Sequence, residues 1–260
     1  MLAALCFVLA VPCASVATPP VIASDTIRLE VGSKEVNGRV YAPHAARVRV
    51  RIGSDTSRVI TEWTNELTLG DSAGRPIMRW VTRGTQFPAN GPTVTWEILQ
   101  TYDAVTLAPY GHVSRNSLGG FSRLAIDGRR VRGTRKLPKD SVEQQVDVTI
   151  DRPGFIASAS DLVPLAVGLK EGSVMTAPVW GPNMAGSELR IFSVIARVPL
   201  TVEGKPVTAW KVEERRHADR TLLATWYLTE ASPYMVYGEV VLPDGRVQVM
   251  SEVEIPMSGR

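Results

Sequence analysis

The chain has 260 residues, of which 44% are hydrophobic and 21% charged, and its formal net charge is +3 at pH 7. This length is enough for one large β domain or two small ones. The small net charge is spread along the chain, whereas nucleic-acid-binding proteins concentrate basic side chains on one face. We therefore expect no nucleic-acid partner.

Residues 1–17 carry no charged side chain and end in small residues, Ser15 and Ala17, at the positions that signal peptidase reads. We therefore expect a signal peptide over residues 1–17, with cleavage between Ala17 and Thr18. The apolar run is shorter than the roughly 18–20 residues that span a bilayer. The predicted location is outside the cytoplasm, in the periplasm of a Gram-negative-type envelope.

Both cysteines of the chain, Cys6 and Cys13, lie in this leader. The mature chain would therefore contain no thiol, no disulfide and no cysteine ligand for a metal. Absence of free thiols fits an oxidising compartment. No linker rich in Pro and Ser divides the rest of the chain, so one domain is expected over residues 18–260.

The mature chain is a succession of short runs in which apolar and polar residues alternate. Val48 and Val50 alternate with arginines, and Trp96 and Ile98 alternate with Thr and Glu. A period of two places all the apolar side chains of a strand on one face. One-sided stripes of this kind are typical of an antiparallel sheet with one wet face.

Turn dipeptides containing glycine separate these runs, because Gly and Asn tolerate the positive φ angles of tight hairpins. They are Asn37-Gly38, Asn90-Gly91, Asp127-Gly128, Glu203-Gly204 and Asp244-Gly245. The segments 124–131, 200–207 and 241–247 each place such a dipeptide between apolar residues and predict three hairpins.

Residues 161–169 interrupt the strand pattern, because their Leu and Ala residues recur at helical spacing. Ser160 or Asp161 is expected to cap the start of this helix and Gly168 to end it. A helix this short is stable only when packed. It would close the open end of a barrel or lie against one face of the sheet.

The last third of the chain, residues 222–255, contains runs that are apolar on both faces, which predicts central strands. With strands of five to eight residues, the turns divide the chain into roughly a dozen strands. The predicted fold is mainly β: a single curved antiparallel sheet, or open half-barrel, with one short capping helix.

The sequence contains no catalytic signature: there is no nucleophile elbow, phosphate-binding loop or dinucleotide fingerprint. His44, His112 and His217 lie far apart and outside any metal-binding spacing, so we interpret them as solvated loop residues. No metal and no cofactor are expected.

Two acid pairs meet the minimal requirement of a glycoside hydrolase, which needs two carboxylates. They are Glu97 with Asp103 and Asp147 with Asp151. Each alternates with polar residues on the face expected to be wet, so we interpret them as solvated. An enzyme is not expected.

The six tryptophans of the chain each lie in or beside a predicted strand. They are interpreted either as plain core or as the wall of an apolar trough that accepts an acyl chain or a similar ligand. The residues expected to line such a trough are Trp63, Trp96, Trp226, Tyr234, Leu162 and Leu165.

Basic side chains are concentrated in one place, at Arg129, Arg130, Arg132, Arg135 and Lys136. The functional interpretation is a surface for anionic lipid headgroups or envelope polymer. The alternative is a solvated hairpin, balanced by the neighbouring Asp127 and Asp140.

In the C-terminal third, a strand ending in Trp-Tyr-Leu is followed by a Pro-led strand and an Asp-Gly hairpin (residues 223–239 and 242–250). The same pattern includes Tyr102-Asp103, the 124–131 hairpin, Pro153-Gly154-Phe155 and residues 161–172. These features resemble an uncharacterised bacterial envelope family, known only as a domain of unknown function. That family is similar to the open β half-barrels of lipoprotein carriers and sorting proteins. The resemblance implies a curved antiparallel sheet with short helices over its concave apolar face, and it implies no catalytic residues.

The leading hypothesis is an exported, non-enzymatic envelope protein that binds or carries an apolar or amphipathic, lipid-like ligand. Its expected partner is a lipid or a lipidated ligand, and any contact with the membrane would be peripheral. The alternative is a structural or interaction protein with a filled core. It would bind another envelope protein through its basic surface or through an edge strand. An unrecognised hydrolase comes third.

Overall fold

The computed structural model describes residues 26–53 and 58–257. The predicted signal peptide, its cleavage site between Ala17 and Thr18, and both cysteines lie outside the described residues. No helix in the described part of the chain is long and apolar enough to cross a membrane.

Sixteen strands in the described residues form one sheet. They are β1 (Ile27–Arg28), β2 (His44–Ile52), β3 (Thr61–Ser72), β4 (Arg75–Gln86), β5 (Val94–Asp103), β6 (Pro109–Asn116), β7 (Phe121–Asp127), β8 (Arg130–Lys136), β9 (Gln144–Thr149), β10 (Phe155–Ile156), β11 (Val174–Trp180), β12 (Glu188–Val202), β13 (Lys205–Arg216), β14 (Leu222–Leu228), β15 (Met235–Val241) and β16 (Val247–Ile255). The number exceeds the expected dozen partly because β1 and β10 have two residues each and leave no periodicity to detect.

The sheet runs from β1 through β11–β16, then β2 to β9, and it is not closed. The short strands β1 and β10 pair in parallel with β11, and the remaining neighbours pair antiparallel. The prediction of a mainly β fold with one curved, open antiparallel sheet is confirmed. The three strands of the apolar last third, β14 to β16, occupy the middle of the strand order as expected.

All three predicted hairpins form, as the β7–β8, β12–β13 and β15–β16 pairs. The β12–β13 turn has positive φ at both Glu203 (47°) and Gly204 (79°). Two consecutive positive φ angles are typical of a type I′ turn, whose twist matches that of the flanking strands.

The tip of the β12–β13 hairpin folds back on the outside of the sheet. A register shift between Val194 and Ala196 bends β12, as bulges do. Beyond the bend, Glu203 contacts Arg49 and Arg51 of β2 at 3.3 and 3.4 Å. A small apolar cluster that includes Val202, Ala209 and Val236 lies on this convex side, separate from the main core.

The α-helix α1 (Leu162–Val167) follows a 3-10 turn (Ala157–Ala159) and packs against a second 3-10 turn (Gly38–Val40). It ends at Gly168, as predicted, with φ at 104°. Asp161 occupies the N-cap position, one of the two that were predicted, but no side-chain hydrogen bond closes the start of the helix. The Ser160 hydroxyl donates instead to Glu214. Tertiary contacts therefore replace the local one.

The main core lies between the concave face of the sheet and α1. It includes Val48 and Leu67 from the sheet and Leu162 and Leu165 from the helix, all in one contiguous cluster. The Tyr41 hydroxyl also donates to the carbonyl of Leu162. The helix is thereby fixed inside the curve of the sheet.

Candidate functional site

A cavity of about 270 Å³ lies on the concave face, between strands β3–β5, strands β14–β16 and the start of α1. Four half-buried tryptophans form much of its wall: Trp63, Trp80, Trp96 and Trp226. Two carboxylic acids, Asp161 and Glu252, also line it. We call this cavity the tryptophan chamber.

Glycines on neighbouring strands position the indoles. Gly84 on β4 lies between Trp63 on β3 and Trp96 on β5 in the register of the sheet. The rings of the two tryptophans are 6.0 Å apart, centroid to centroid, and tilted by 54°. On the other side of the chamber, Trp226 pairs with Gly238, where an added Cβ would lie 3.0 Å from the indole. The absence of a side chain at both positions lets the rings lie against the sheet.

A chain of hydrogen bonds runs across one wall of the chamber to Glu252. The indole Nε1 of Trp80 and the hydroxyl of Thr82 donate to Asn65 Oδ1 at 3.2 and 3.0 Å. Asn65 Nδ2 then donates to Glu252 Oε1 at 3.2 Å. This arrangement fixes Glu252 while leaving its second oxygen without a hydrogen-bond donor among the described residues.

Glu252 lies on β16 and is only 4% exposed. Burial raises the pKa of its carboxyl to about 8, since the charged form loses its hydration. The hydrogen bond from Asn65 lowers the pKa in part, and the charge of Asp161 raises it. At neutral pH this side chain therefore holds a proton in much of the population.

Asp161 lies immediately before α1 and lines the same chamber. Burial, together with the charge of the nearby Glu214, raises the pKa of its carboxyl to about 7. No side chain of the described residues donates a hydrogen bond to it. Asp161 and Glu252 are thus two carboxyls with little compensation on one cavity.

A third buried acid, Glu214 on β13, lies behind the chamber wall. It accepts from Trp226 Nε1 (2.8 Å), from the Ser160 hydroxyl (3.0 Å) and from Arg190 Nη1 (3.1 Å). Burial raises the pKa of Glu214, and these hydrogen bonds oppose the shift. Glu214 therefore orients the indole of Trp226 and ties the start of α1 to the sheet.

A second, longer cavity of about 640 Å³ lies between strands β6–β9 and the 180–185 segment. Its wall is mainly apolar and includes Leu124, Val131, Val146, Val148 and Ile150. Arg135 and Lys136 line it as well. We call it the apolar trough. It meets the tryptophan chamber at Ile98 and Ser158, which line both cavities.

The predicted ligand-lining residues lie in three places. Trp63, Trp96 and Trp226 lie together on the wall of the chamber. Tyr234 is buried beside it, with its hydroxyl bonded to the backbone of Ala42 and Val40. Leu162 and Leu165 lie in the packed core beneath α1. The helix face that carries these two leucines is buried, whereas Asp161, immediately before the helix, lines the chamber.

The predicted basic surface is divided among several contacts. Arg135 and Lys136 line the apolar trough. Arg130 pairs with Asp147 at 2.9 Å, and Arg132 lies 3.9 Å from the same carboxylate. Arg129 donates to the carbonyl of Ile150 at 3.0 Å. Arg135 also donates to Gln144 Oε1 at 3.2 Å, so four of the five side chains of this cluster are engaged within the sheet.

The interpretation of the histidines as solvated loop residues is wrong for two of the three. His44 and His112 lie on strands and are buried, at 3% and 6% exposed, whereas His217 is exposed in a turn. Burial lowers the pKa of His112 to about 4. Across the sheet it faces Gln100 and Leu124, which places it on the concave face.

The acid pairs weighed from the sequence lie elsewhere. Glu97 pairs with Arg83 and Arg115 at 2.8 and 3.1 Å, and Asp147 pairs with Arg130. Within residues 26–53 and 58–257, no group of three or more His, Cys, Asp or Glu side chains is placed to hold a metal ion.

The two chamber acids escaped the sequence analysis. Glu252 stands in phase with Met250 on β16, so the alternation itself carried a signal for an inward-facing acid. Asp161 carried a misleading signal, because an acid before a short helical pattern is typical of a cap.

No known protein-family profile matches the chain, and no curated protein matches it either. Among solved structures, it is similar to a β-barrel-like protein of domain of unknown function DUF1849 from Brucella abortus. The TM-score is 0.50 at 8% identity, and the match covers 85% of this chain and all of the other. A DUF1089 protein from Pseudomonas aeruginosa matches with a TM-score of 0.30 at 10% identity, over 75% of this chain and 89% of the other. The first likeness shows a shared fold of unknown function.

Proposed function

We propose that this protein is an exported, non-enzymatic binder or carrier of an apolar or amphipathic ligand, held on the concave face of its sheet. The observation that carries this proposal is the apolar trough. Its volume of about 640 Å³ falls among ligand pockets, which range over about 300–1,000 Å³. Its exposed lining surface is mainly apolar, which suits a hydrocarbon chain better than a compact polar molecule.

The mouth of the trough supports the same proposal. Leu137 and Val148 both line it and are 50% and 48% exposed. Apolar surface therefore continues from the interior of the trough to solvent. A hydrocarbon chain could enter along this surface. Arg135 and Lys136 on the same wall would keep the rim soluble when the trough is empty.

A variant that places a charge inside the trough tests the proposal. Val148 belongs to β9 and lines the trough, whereas Thr149 is its exposed neighbour on the other face of the strand. Val148→Asp should weaken binding of the apolar probe N-phenyl-1-naphthylamine at least about tenfold, since Val148 is half-exposed in the empty trough and a bound probe would cover the new charge and remove its water without supplying a partner. Thr149→Asp is the matched control and should bind as the unmodified protein does.

The native ligand is accessible to mass spectrometry. Protein purified from its own envelope under gentle conditions should carry a lipid-like molecule, and Val148→Asp should reduce its occupancy. A clean apo mass, together with no binding of the naphthylamine probe, would overturn the proposal. Fractionation and N-terminal sequencing test the export: the mature chain is expected in the periplasm and should begin at Thr18.

An interaction protein is the second candidate, and the position of β9 favours it. This strand ends the strand order, and its neighbour β8 carries Arg130 and Arg132. Exposed edge strands can pair with another chain. Loss of a partner on Arg130→Glu with Arg132→Glu, with the fold intact and no ligand in the trough, would favour this candidate over ligand binding.

The absence of catalysis is also part of the proposal. Asp161 and Glu252 share one cavity, and two carboxyls are sufficient for glycoside hydrolysis. We expect no turnover on a panel of glycosides and esters. Hydrolysis that is lost in both Asp161→Asn and Glu252→Gln would overturn the non-enzymatic assignment.

A further inference from the structure

We infer that the tryptophan chamber binds the ammonium group of a cationic amphiphile whose apolar chain occupies the adjoining trough, an inference that rests on the proposed ligand-binding function. The two cavities share Ile98 and Ser158 in their walls, so a ligand that occupies both would pass between these two side chains. The chamber, at about 270 Å³, lies below the roughly 300–1,000 Å³ of sites for whole drug-sized ligands. A cavity of this volume suits the head group of a ligand rather than the whole ligand.

The ionisable side chains that line the chamber are both acids. Asp161 and Glu252 are its two ionisable lining residues, and no Lys, Arg or His is among the residues that line it. The nearest partner of Glu252 is a neutral amide, Asn65. A cation inside the chamber would therefore meet two acids that lack a cation of their own.

Several polar side chains of the wall direct a hydrogen-bond donor to one another. Asn65 Nδ2 donates to Glu252, and the hydroxyl of Thr82 donates to Asn65. Gln100 Nε2 donates to the Ser158 hydroxyl at 2.7 Å. The second oxygen of Glu252 and the carboxyl of Asp161 accept no hydrogen bond from a side chain of the described residues, so both keep acceptor capacity. A site with spare acceptors is suited to a ligand that brings donors or positive charge.

The indoles supply the second half of the recognition. Trp80 and Trp226 direct their N–H groups to Asn65 and Glu214, so these rings offer the chamber carbon surface. Trp63 and Trp96, tilted by 54°, form a corner rather than a flat platform. Aromatic rings set at angles around a cavity are the arrangement that holds quaternary ammonium groups through cation–π contacts.

Protonation of the two acids ties this recognition to pH. The pKa of Asp161 is raised to about 7 and that of Glu252 to about 8, so a bound cation replaces protons as well as water. The other charged or ionisable side chains near them are Glu214 on β13, Arg190 on β12, Tyr102 on β5, Tyr41 just before β2 and His44 at the start of β2. Glu214 is already paired with Arg190.

The test compares ligands that share one chain and differ in the head. Dodecyltrimethylammonium, dodecyl maltoside and dodecanoate are titrated below their micelle concentrations into the full mature chain, with tryptophan fluorescence and calorimetry as readouts. At about pH 8.5 the ammonium ligand should bind at least about tenfold more tightly than either of the others, since only its head brings a positive charge to the indoles and to the two ionised acids. The preference should shrink at about pH 6, where both acids are protonated.

Two variants locate the preference in the chamber. Glu252→Gln and Asp161→Asn should each reduce the ammonium preference severalfold while binding of dodecyl maltoside stays the same. Glu97→Gln is the matched control, because Glu97 is paired with arginines on the other face of β5. Circular dichroism establishes that each variant is folded.

The outcomes separate this inference from the function on which it rests. Equal binding of the three ligands would overturn the inference and leave the ligand-binding function standing. Tightest binding of dodecyl maltoside would overturn it in favour of a sugar site. Tetramethylammonium, which has no hydrocarbon chain, is the fourth ligand. If it bound as tightly as dodecyltrimethylammonium, the result would support the chamber as an ammonium site and contradict binding of a hydrocarbon chain in the trough. Binding of none of the four would contradict both.

Discussion

Trp96 lies against the backbone of Gly84 so closely that a Cβ added to the glycine would be 2.3 Å from Cζ2 of the indole. The same added atom would be 2.9 Å from Cβ of Trp63. The missing side chain of Gly84 therefore leaves room for two tryptophans of the chamber wall, Trp63 and Trp96. The indole of Trp96 fills the space that a side chain at position 84 would need, which accounts for the glycine there.

Gly84→Ala should displace the indole of Trp96 and lower the free energy of unfolding by about 1–3 kcal/mol, the usual cost of overpacking. Near-UV circular dichroism and tryptophan fluorescence report the displacement, and the naphthylamine and ammonium titrations report the site. Gly70→Ala on β3 is the control, since its Cβ would meet only Ile77 Cγ1, at 4.0 Å. Equal effects of the two variants would contradict this account of Gly84.

How far the sequence predicts this site depends on the range of the contacts. Alternation within single strands placed Trp63 with Leu67, and Trp96 with Ile98, on common faces, and the structure agrees. The chamber exists because β2 pairs with β16, which brings strands from the two ends of the chain together. No local pattern encodes that pairing.

Buried polar residues were the systematic failure, for a physical reason. Asp161 and His112 have sequence neighbours typical of a cap and of a turn. Their burial comes from strands far away in the chain, and only the assembled sheet provides it. A local pattern reports how a residue can be satisfied by its neighbours, and these side chains are surrounded by tertiary contacts instead.

Arg190 is the sole cation that contacts the buried Glu214 in the described part of the chain. Arg190→Met should lower the free energy of unfolding by roughly 3–5 kcal/mol, because it leaves a buried carboxylate without its partner. Arg83→Met, which removes a half-exposed arginine paired with Glu66 and Glu97, should cost no more than about 1 kcal/mol.

A second change distinguishes charge from packing at Arg190. Adding Glu214→Gln to Arg190→Met removes the orphaned charge and should recover part of the loss in chemical denaturation. A double variant that is no more stable than Arg190→Met alone would mean that the arginine acts through its packing.

Glu252 makes the protein less stable as the pH rises. Its pKa is raised from an ordinary 4.5 to about 8 in the folded state, so the folded chain binds the proton more tightly than the unfolded chain. The stability from this group is complete below about pH 4.5 and is lost as the pH rises through 8, by on the order of 4 kcal/mol.

Glu252→Gln removes that loss. Relative to the unmodified protein, the variant should gain about 2–4 kcal/mol more stability at pH 8.5 than at pH 5, measured by urea denaturation at both. Glu97→Gln is the control and should show no such difference between the two conditions. A gain for Glu252→Gln that is the same at both pH values would contradict a buried, protonated Glu252.

His112 acts in the opposite direction on the acid side. Its pKa is lowered from 6.5 to about 4 by burial, so the unfolded chain binds the proton more readily. The stability from this group is complete above about pH 6.5 and is lost as the pH falls through 4, by roughly 3 kcal/mol.

The Nδ1 atom of His112 is buried without a hydrogen-bond partner, so an apolar replacement leaves no partner unsatisfied at that atom. His112→Leu should therefore make stability between pH 6.5 and pH 4 less dependent on pH, whereas His217→Leu, in an exposed turn, should leave that dependence unchanged. If His112→Leu retained the full acid-induced loss, the source would have to be a different group, of which the buried His44, whose pKa is also lowered by burial, is the first to test.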